Sequence, residues 1–255
     1  MNILITAGGT SESIDTVRSI SNHATGRLGA IIADTFAKAG SHITYVCSEH
    51  AMLPTCENVE QISIQNVEQL LKTLETLLHE RSFDCVIHSM AVSDYRPQTV
   101  LTMEDIAEAL MKLTQQSDFS QEDLLPDICT AILNAGKPLN DKKISSAASN
   151  MLLLLEKTPK VIRCIKAIQP HTLLVGFKLL SQVSRLELLD AGQQLLRQND
   201  CDFVLANDLK NIKDDTHKAF LINKDGILQD AKTKQDIAEM IFNAVSCFFS
   251  EIECI

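Results

Sequence analysis

The sequence predicts an α/β fold, a parallel β-sheet with helices on both faces. Three features carry this. Short apolar runs alternate with amphipathic helical segments. The first apolar run, at the N-terminus, ends in a glycine turn. The composition, 45% apolar and 22% charged, is that of an ordinary globular chain with room for a core. Aromatics make up 4% with no Trp, so that core is aliphatic.

Residues 3–6 read as a buried strand entering Ala7-Gly8-Gly9-Thr10. After a polar stretch, Thr25-Gly26-Arg27-Leu28-Gly29 opens a helix. Its apolar positions 28, 32, 33, 36 and 37 follow the helical period, and Gly40 stops it. Residues 43–47 form a second strand, 67–78 a second helix and 85–88 a third strand. Further on, 173–176 and 203–206 are strands with a helix over 186–196 between them. Residues 219–223 and 227–228 flank Lys224-Asp225-Gly226 as a hairpin, and 233–249 is a closing helix. Right-handed crossovers then give a Rossmann-like layout. Residues 98–170 interrupt the rhythm with helices over 104–113 and 123–133 and a mixed stretch over 143–155. The chain thus reads as a single domain, 1–255, with an inserted helical and extended arm over about 98–170.

A net charge of −10 argues against broad nucleic-acid binding, which needs a basic face. It leaves room for a small phosphate ligand, which needs only local positive charge. Eight Cys without a C-x-x-C pair read as reduced core residues. The N-terminus has no basic n-region and no long apolar h-region. The longest leucine run, residues 151–155, is far too short for a bilayer. A cytoplasmic protein without a membrane partner is expected.

Four constellations could carry chemistry. Gly8, Gly9, Gly26 and Gly29 bracket the end of the first strand and the start of the first helix. That is where α/β sheets bind ligands and where helix amides favour phosphate. The pattern is neither G-x-G-x-x-G nor a P-loop, and residues 11–25 are long for a dinucleotide fingerprint. Turn glycines and a helix cap would leave the same trace. Asn22 precedes that helix; its amide can hold an oxyanion without titrating, but from spacing alone a turn or capping role is the simpler reading. Arg18 and Arg27 read first as surface charges. After the third strand, the stretch from His88 to Pro97 brings small residues and Asp94, suited to a ligand hydroxyl or to Mg²⁺, or simply to an Asx turn. His88 itself reads as a strand residue rather than a base. Finally, residues 137–178 hold eight basic residues against Asp141 and Glu156, a local +6 that suits a polyphosphate or a solvated face. Lys143 and Lys178 are its best candidates. No H-E-x-x-H or G-x-S-x-G occurs, so positioning and phosphate electrostatics fit better than hydrolysis.

Read together, these residues resemble the phosphopantothenate–cysteine ligases (phosphopantothenoylcysteine synthetases) of coenzyme A biosynthesis, and in particular their stand-alone bacterial form. The resemblance rests on Ile5-Thr6-Ala7-Gly8-Gly9-Thr10, on residues 15–23 ending in Ser21-Asn22-His23, and on Gly26-x-x-Gly29. It continues through Ala91-Val92-Ser93-Asp94-Tyr95-Arg96, Lys143-Ile144-Ser145, Val175-Gly176-Phe177-Lys178 and Leu205-Ala206-Asn207-Asp208, covering nearly the whole chain. It implies joining 4′-phosphopantothenate to L-cysteine with a nucleoside triphosphate, through an acyl-nucleotidylate and with Mg²⁺. It also implies a homodimer with shared active sites, the arm serving dimerisation. By this resemblance Gly8, Gly9, Thr10, Ala24, Thr25, Gly26, Gly29, Pro159, Lys160, Phe177 and Asn207 bind the nucleotide. Asn22, Lys143 and Lys178 are catalytic, and Asn22, Met90, Ala91 and Asp94 meet the substrate; the metal ligands are unassigned.

The chain departs from relatives at Ala24-Thr25-Gly26, where many read Ser-Ser-Gly, and at Lys143-Ile144-Ser145-Ser146, where bifunctional relatives read Lys-Ile-Lys-Lys. Those relatives carry a flavin-dependent decarboxylase before the synthetase, so a separate decarboxylase is expected here. The insertion and Phe177-Lys178-Leu179 look closer to eukaryotic, ATP-using members, while the stand-alone bacterial character favours CTP. The rivals are a Rossmann-like NAD(P) oxidoreductase, which lacks its fingerprint here, and a non-catalytic nucleotide-binding module.

Overall fold

A computed structural model of the chain describes residues 1–115, 124–139, 150–213 and 216–252. In chain order the elements are β1 (Asn2–Ala7), β2 (Ser11–Ser13), β3 (Ser19–Ser21), α1 (Arg27–Lys38), β4 (His42–Ser48), β5 (Val59–Ile64), α2 (Val67–Glu80) and β6 (Cys85–His88). There follow β7 (Tyr95–Leu101), α3 (Met103–Thr114), α4 (Leu124–Ala135), β8 (Lys137–Pro138) and β9 (Leu152–Lys157). The chain continues with α5 (Ile162–Ile168), β10 (Leu173–Leu180), α6 (Arg185–Gln198), β11 (Phe203–Lys213), β12 (Thr216–Asn223), β13 (Gly226–Thr233) and α7 (Lys234–Ile252). They pack as two compact units.

The first unit comprises Met1–Thr10, Asn22–Val92 and Lys160–Ile255. Its eight-stranded sheet runs β13-β12-β11-β10-β6-β1-β4-β5. Pairing is parallel from β5 to β11, while β12 and β13 join antiparallel as the expected hairpin. The strand order reverses at β1, whose neighbours are β4 and β6; ligands bind in α/β sheets beyond the carboxyl ends at such a point. Strand β1 is an unbroken apolar run because both of its faces are covered. On one face Ile3, Ile5 and Ala7 pack with α1 and α7. On the other Leu4 packs with α2 and α5. Ile32 and Phe36 carry the buried stripe of α1, and the Phe36 ring meets Phe242 of α7 edge-on at 5.1 Å between centroids. The helix stops as expected at Gly40 (φ 86°), with Gly40 N–H donating to Ala37 O and Ser41 N–H to Phe36 O.

The fold extends the expectations in places. Strand β5 was not foreseen; it lies at the sheet edge, half exposed, so its apolar residues are too sparse to alternate cleanly. Strands β10 and β11 run past residues 176 and 206, β10 through the less buried Phe177-Lys178-Leu179-Leu180 and β11 into the mostly polar stretch from Asn207 to Lys213.

Asp208 anchors one such end. It accepts from the amides of Gln182 (3.0 Å), Val183 (3.1 Å) and Lys210 (3.0 Å) and pairs with Lys210 Nζ at 3.0 Å. Burial pushes its carboxyl up, but these donors outweigh burial and bring it down to about 2. A lowered folded pKa gives stability that is complete above the unfolded value, about 4, and is lost as pH falls through 2. Urea titrations should therefore find Asp208→Asn destabilising at neutral pH, with the gap to the natural protein closing between about pH 5 and pH 2. A gap constant with pH would deny the carboxylate this role.

The second unit comprises Ser11–Ser21 and Ser93–Pro159. The arm expected over 98–170 overlaps this unit but differs from it at both ends. In it β7 pairs antiparallel with β8 and β9, and β2 with β3. Asp15 shapes the β2–β3 turn, accepting from the Val17 and Arg18 amides at 2.9 Å each and pairing with the Arg18 side chain. Helix α3 starts at a capping box, Thr102 with Asp105. Lys143 lies outside the described residues. Among the described residues no helix is long and apolar enough to cross a membrane.

Candidate functional site

Beyond β1 and β6 the chain knits one junction around Ala91. Ala91 N–H donates to Gly8 O at 2.9 Å, and Ala91 O accepts from Thr10 N–H at 3.1 Å. Asn22 Nδ2 donates to the same Ala91 oxygen at 3.0 Å, and Asn22 N–H donates to Thr10 O at 3.2 Å. The exposed Asn22 side chain is thus held by its amide nitrogen, at the switch point of the sheet. The spacing that reads as a plain turn places it between the glycine turn and the loop after β6.

The glycines are needed first for packing. Gly26 caps α1 with φ 71°, and a Cβ there would lie 2.9 Å from Ala51 Cβ and 3.2 Å from Gly8 N. Gly29 sits against Ala7, so α1 approaches β1 closely. Gly9 N–H donates to Ser48 Oγ at 3.2 Å. Around Gly26, Thr25 O accepts from Met52 N–H at 2.9 Å, and the buried Tyr45 hydroxyl donates to Met52 O at 2.9 Å. Burial drives that phenol well above its ordinary pKa, so it stays a neutral donor. The first amides of α1 have no partner within the helix, and that of Arg27 donates to Thr25 Oγ1 at 3.4 Å.

Below the junction, Thr6 Oγ1 lies 2.8 Å from His88 Nδ1 and accepts from Met90 N–H at 3.4 Å. Ser89 Oγ donates to Thr6 O at 2.7 Å. Burial lowers His88 to about 4, so it is neutral near pH 7, an orienting group rather than a titrating base. The Met90 side chain is committed to the core.

Strand alternation separates two other candidates. Phe177 belongs with the α1 side of the sheet, and Lys178, the next residue, points to the opposite face. Asn207 shares the Phe177 face, being two residues beyond Leu205, which pairs with Phe177. Asn207 is buried, its Nδ2 2.9 Å from His217 Nε2. His217 lies at the polar start of its strand with no motif around it, and Asp208, inside Leu205-Ala206-Asn207-Asp208, has no role assigned from the sequence. Lys160 is exposed on the first unit, while Asp94 and Pro159 belong to the second. Among the described residues no three His, Cys, Asp or Glu side chains could hold a metal ion.

The family model described as the DNA/pantothenate metabolism flavoprotein C-terminal domain matches residues 1–122 and 100–248. The coenzyme A biosynthesis bifunctional protein CoaBC of Thermococcus kodakarensis is 28% identical over 244 residues, covering 95% of this chain and 50% of that protein. That of Methanocaldococcus jannaschii is 24% identical over 245 residues, again 95% of this chain and 50% of that protein. The chain thus spans about half the length of these curated relatives. Among solved structures, the DNA/pantothenate metabolism flavoprotein from Streptococcus pneumoniae is 35% identical with a TM-score of 0.79, over 97% of this chain and 99% of that one. The C-terminal domain of CoaBC, 21% identical with a TM-score of 0.66 over 98% of both chains, shares the fold. With its glycine turn, Asn22 and switch-point loop all within the matched residues, the chain belongs to the DNA/pantothenate metabolism flavoprotein C-terminal domain family.

Proposed function

We propose that this chain is a single synthetase domain that joins 4′-phosphopantothenate to L-cysteine, using a nucleoside triphosphate, with CTP preferred over ATP. The observation that supports the reading is the Ala91 junction, which holds the Asn22 amide beside the glycine turn. The substrate carboxylate attacks the α-phosphorus, the bond to the β-phosphate oxygen breaks, and pyrophosphate leaves. The cysteine amine then attacks the acyl carbon, releasing the nucleoside monophosphate and a proton.

In this scheme Gly8, Gly9, Thr10, Ala24, Thr25, Gly26 and Gly29 form the nucleotide-phosphate cradle, and Phe177 and Asn207 flank the nucleoside. Asn22 steadies the acyl-nucleotidylate; Lys143, Lys160 and Lys178 supply positive charge. Met90 and Ala91, through their main chain, and Asp94 meet the phosphopantothenate, with Pro159 beside the nucleotide. The described residues offer no protein cage for Mg²⁺. Mg²⁺ commonly rides on phosphate oxygens and water with few protein ligands, so it enters with the triphosphate. The working form is a cytoplasmic homodimer that shares its sites. Support comes from the CoaBC relatives, named for coenzyme A biosynthesis, and from the fold shared with a Cab2 mutant in complex with phosphopantothenate-cysteine.

The test is pyrophosphate release by purified protein given 4′-phosphopantothenate, L-cysteine and Mg²⁺, with CTP and ATP in parallel. Release that depends on phosphopantothenate and runs faster with CTP is expected. Silence with both nucleotides, from folded protein that still binds them, would leave a nucleotide-binding module instead.

A further inference from the structure

The one buried side-chain polar atom without a hydrogen-bond partner among the described residues is His217 Nδ1. His217 is 5% exposed, and Asn207, with which it pairs, 6%. An amide nitrogen has only hydrogens to offer, so Asn207 Nδ2 donates and His217 Nε2 accepts at 2.9 Å. The imidazole proton then sits on Nδ1, the atom left without a partner. Burial, and secondarily the charge of Lys234, lower His217 to about 4, so near pH 7 the ring is neutral and Nε2 keeps its lone pair. A stranded buried donor is unfavourable and calls for a reason.

The reason lies in where the pair stands. The β11–β12 ladder is regular up to Asn207↔Ala219 and resumes only at Ile212↔His217. Such a bulge re-aims side chains and is common beside active sites. Asn207 lies on the α1 side of the sheet with Phe177, the side on which the proposed phosphate cradle stands. An unrestrained asparagine amide can turn over, exchanging donor for acceptor at the same point in space.

We infer that His217 is a positioning residue: it spends Asn207 Nδ2, fixes the amide, and so presents Asn207 Oδ1 as the acceptor for a nucleoside donor, an exocyclic amine or a ribose hydroxyl. This rests on the nucleotide-dependent reading above. The lock favours nucleosides that offer a donor at that point and disfavours those that offer an acceptor.

The test measures Kd for CTP and for ATP by calorimetry, and KM and kcat by pyrophosphate release. His217→Leu should raise nucleotide Kd and KM about three- to tenfold, the worth of one neutral hydrogen bond, with kcat nearly unchanged. His217→Gln, whose side-chain oxygen can accept from Nδ2, should recover most of the loss. In an Asn207→Ala background, His217→Leu should add nothing, because the group it positions is gone. Equal losses in both backgrounds, a fall in kcat instead of a rise in KM, or unchanged affinity would overturn the inference. Should His217→Leu not fold, His217→Gln decides: affinity kept in the natural background supports the lock, and affinity lost overturns it. Coupling in Kd without any pyrophosphate release would sink the ligase reading and leave this inference standing. Release without coupling would do the reverse, and a folded protein that binds neither nucleotide would sink both.

Discussion

Asn22→Ala is expected to fold normally and to lose amide formation by about 10²- to 10³-fold, the usual effect of removing one preorganised donor from a developing oxyanion. The substitution deletes the hydrogen bond from Nδ2 to Ala91 O on an exposed residue. That bond is worth about 1 kcal/mol of stability. The backbone bonds of residue 22 survive, because its N–H still donates to Thr10 O and its O still accepts from Ala24 N–H. Asn22→Asp is sharper. It replaces the donor with a carboxylate facing the Ala91 carbonyl, adding charge repulsion against a phosphate ligand while preserving size. Thermal melts within a few degrees of the natural protein, with phosphopantothenoylcysteine yield cut by two orders of magnitude in both variants, would support the assigned role. Undiminished coupling in either variant would remove Asn22 from the chemistry.

The sequence exposes what the core dictates. Residues buried on both faces, as in β1 and β6, write continuous apolar runs, and α1 writes its stripe through Ile32 and Phe36. The glycine turn and Gly26 were legible because left-handed backbone restricts residue choice. Edge and hairpin elements were not. Strands β2 and β3 are serine-rich three-residue pieces whose pairing depends on the Asp15 turn. The site divides in the same way. Residues inside family motifs could be named, but their partners could not. Ala91 acts through its main chain, which any residue supplies. His217 reaches Asn207 because the two strands pair, and no local pattern announces it. Phe177 and Lys178 are adjacent in sequence and therefore on opposite faces, so a shared motif does not make a shared contact.

Gly26→Ala is expected to cost both stability and nucleotide affinity, and Gly40→Ala separates the two causes. Both positions have positive φ, 71° and 86°, so both substitutions carry the left-handed penalty of about 1–2 kcal/mol. At Gly40 a Cβ would meet nothing within 4 Å, so the penalty stands alone. At Gly26 the added carbon lands 2.9 Å from Ala51 Cβ and 3.2 Å from Gly8 N. Overpacking of that kind adds about 1–3 kcal/mol. Relief requires α1 to back away from the Gly8 turn, and in the proposed scheme that separates the helix amides from the turn they share the phosphates with. Gly26→Ala should therefore lose about 2–5 kcal/mol in urea titrations and bind CTP at least about tenfold more weakly by calorimetry. Gly40→Ala should lose about 1–2 kcal/mol and bind as before. Equal CTP affinity in the two variants would place the phosphates somewhere other than the start of α1. A Gly26→Ala stability loss no larger than that of Gly40→Ala would mean that Ala51 and Gly8 yield to the new carbon freely, and the close approach would then impose no demand for glycine.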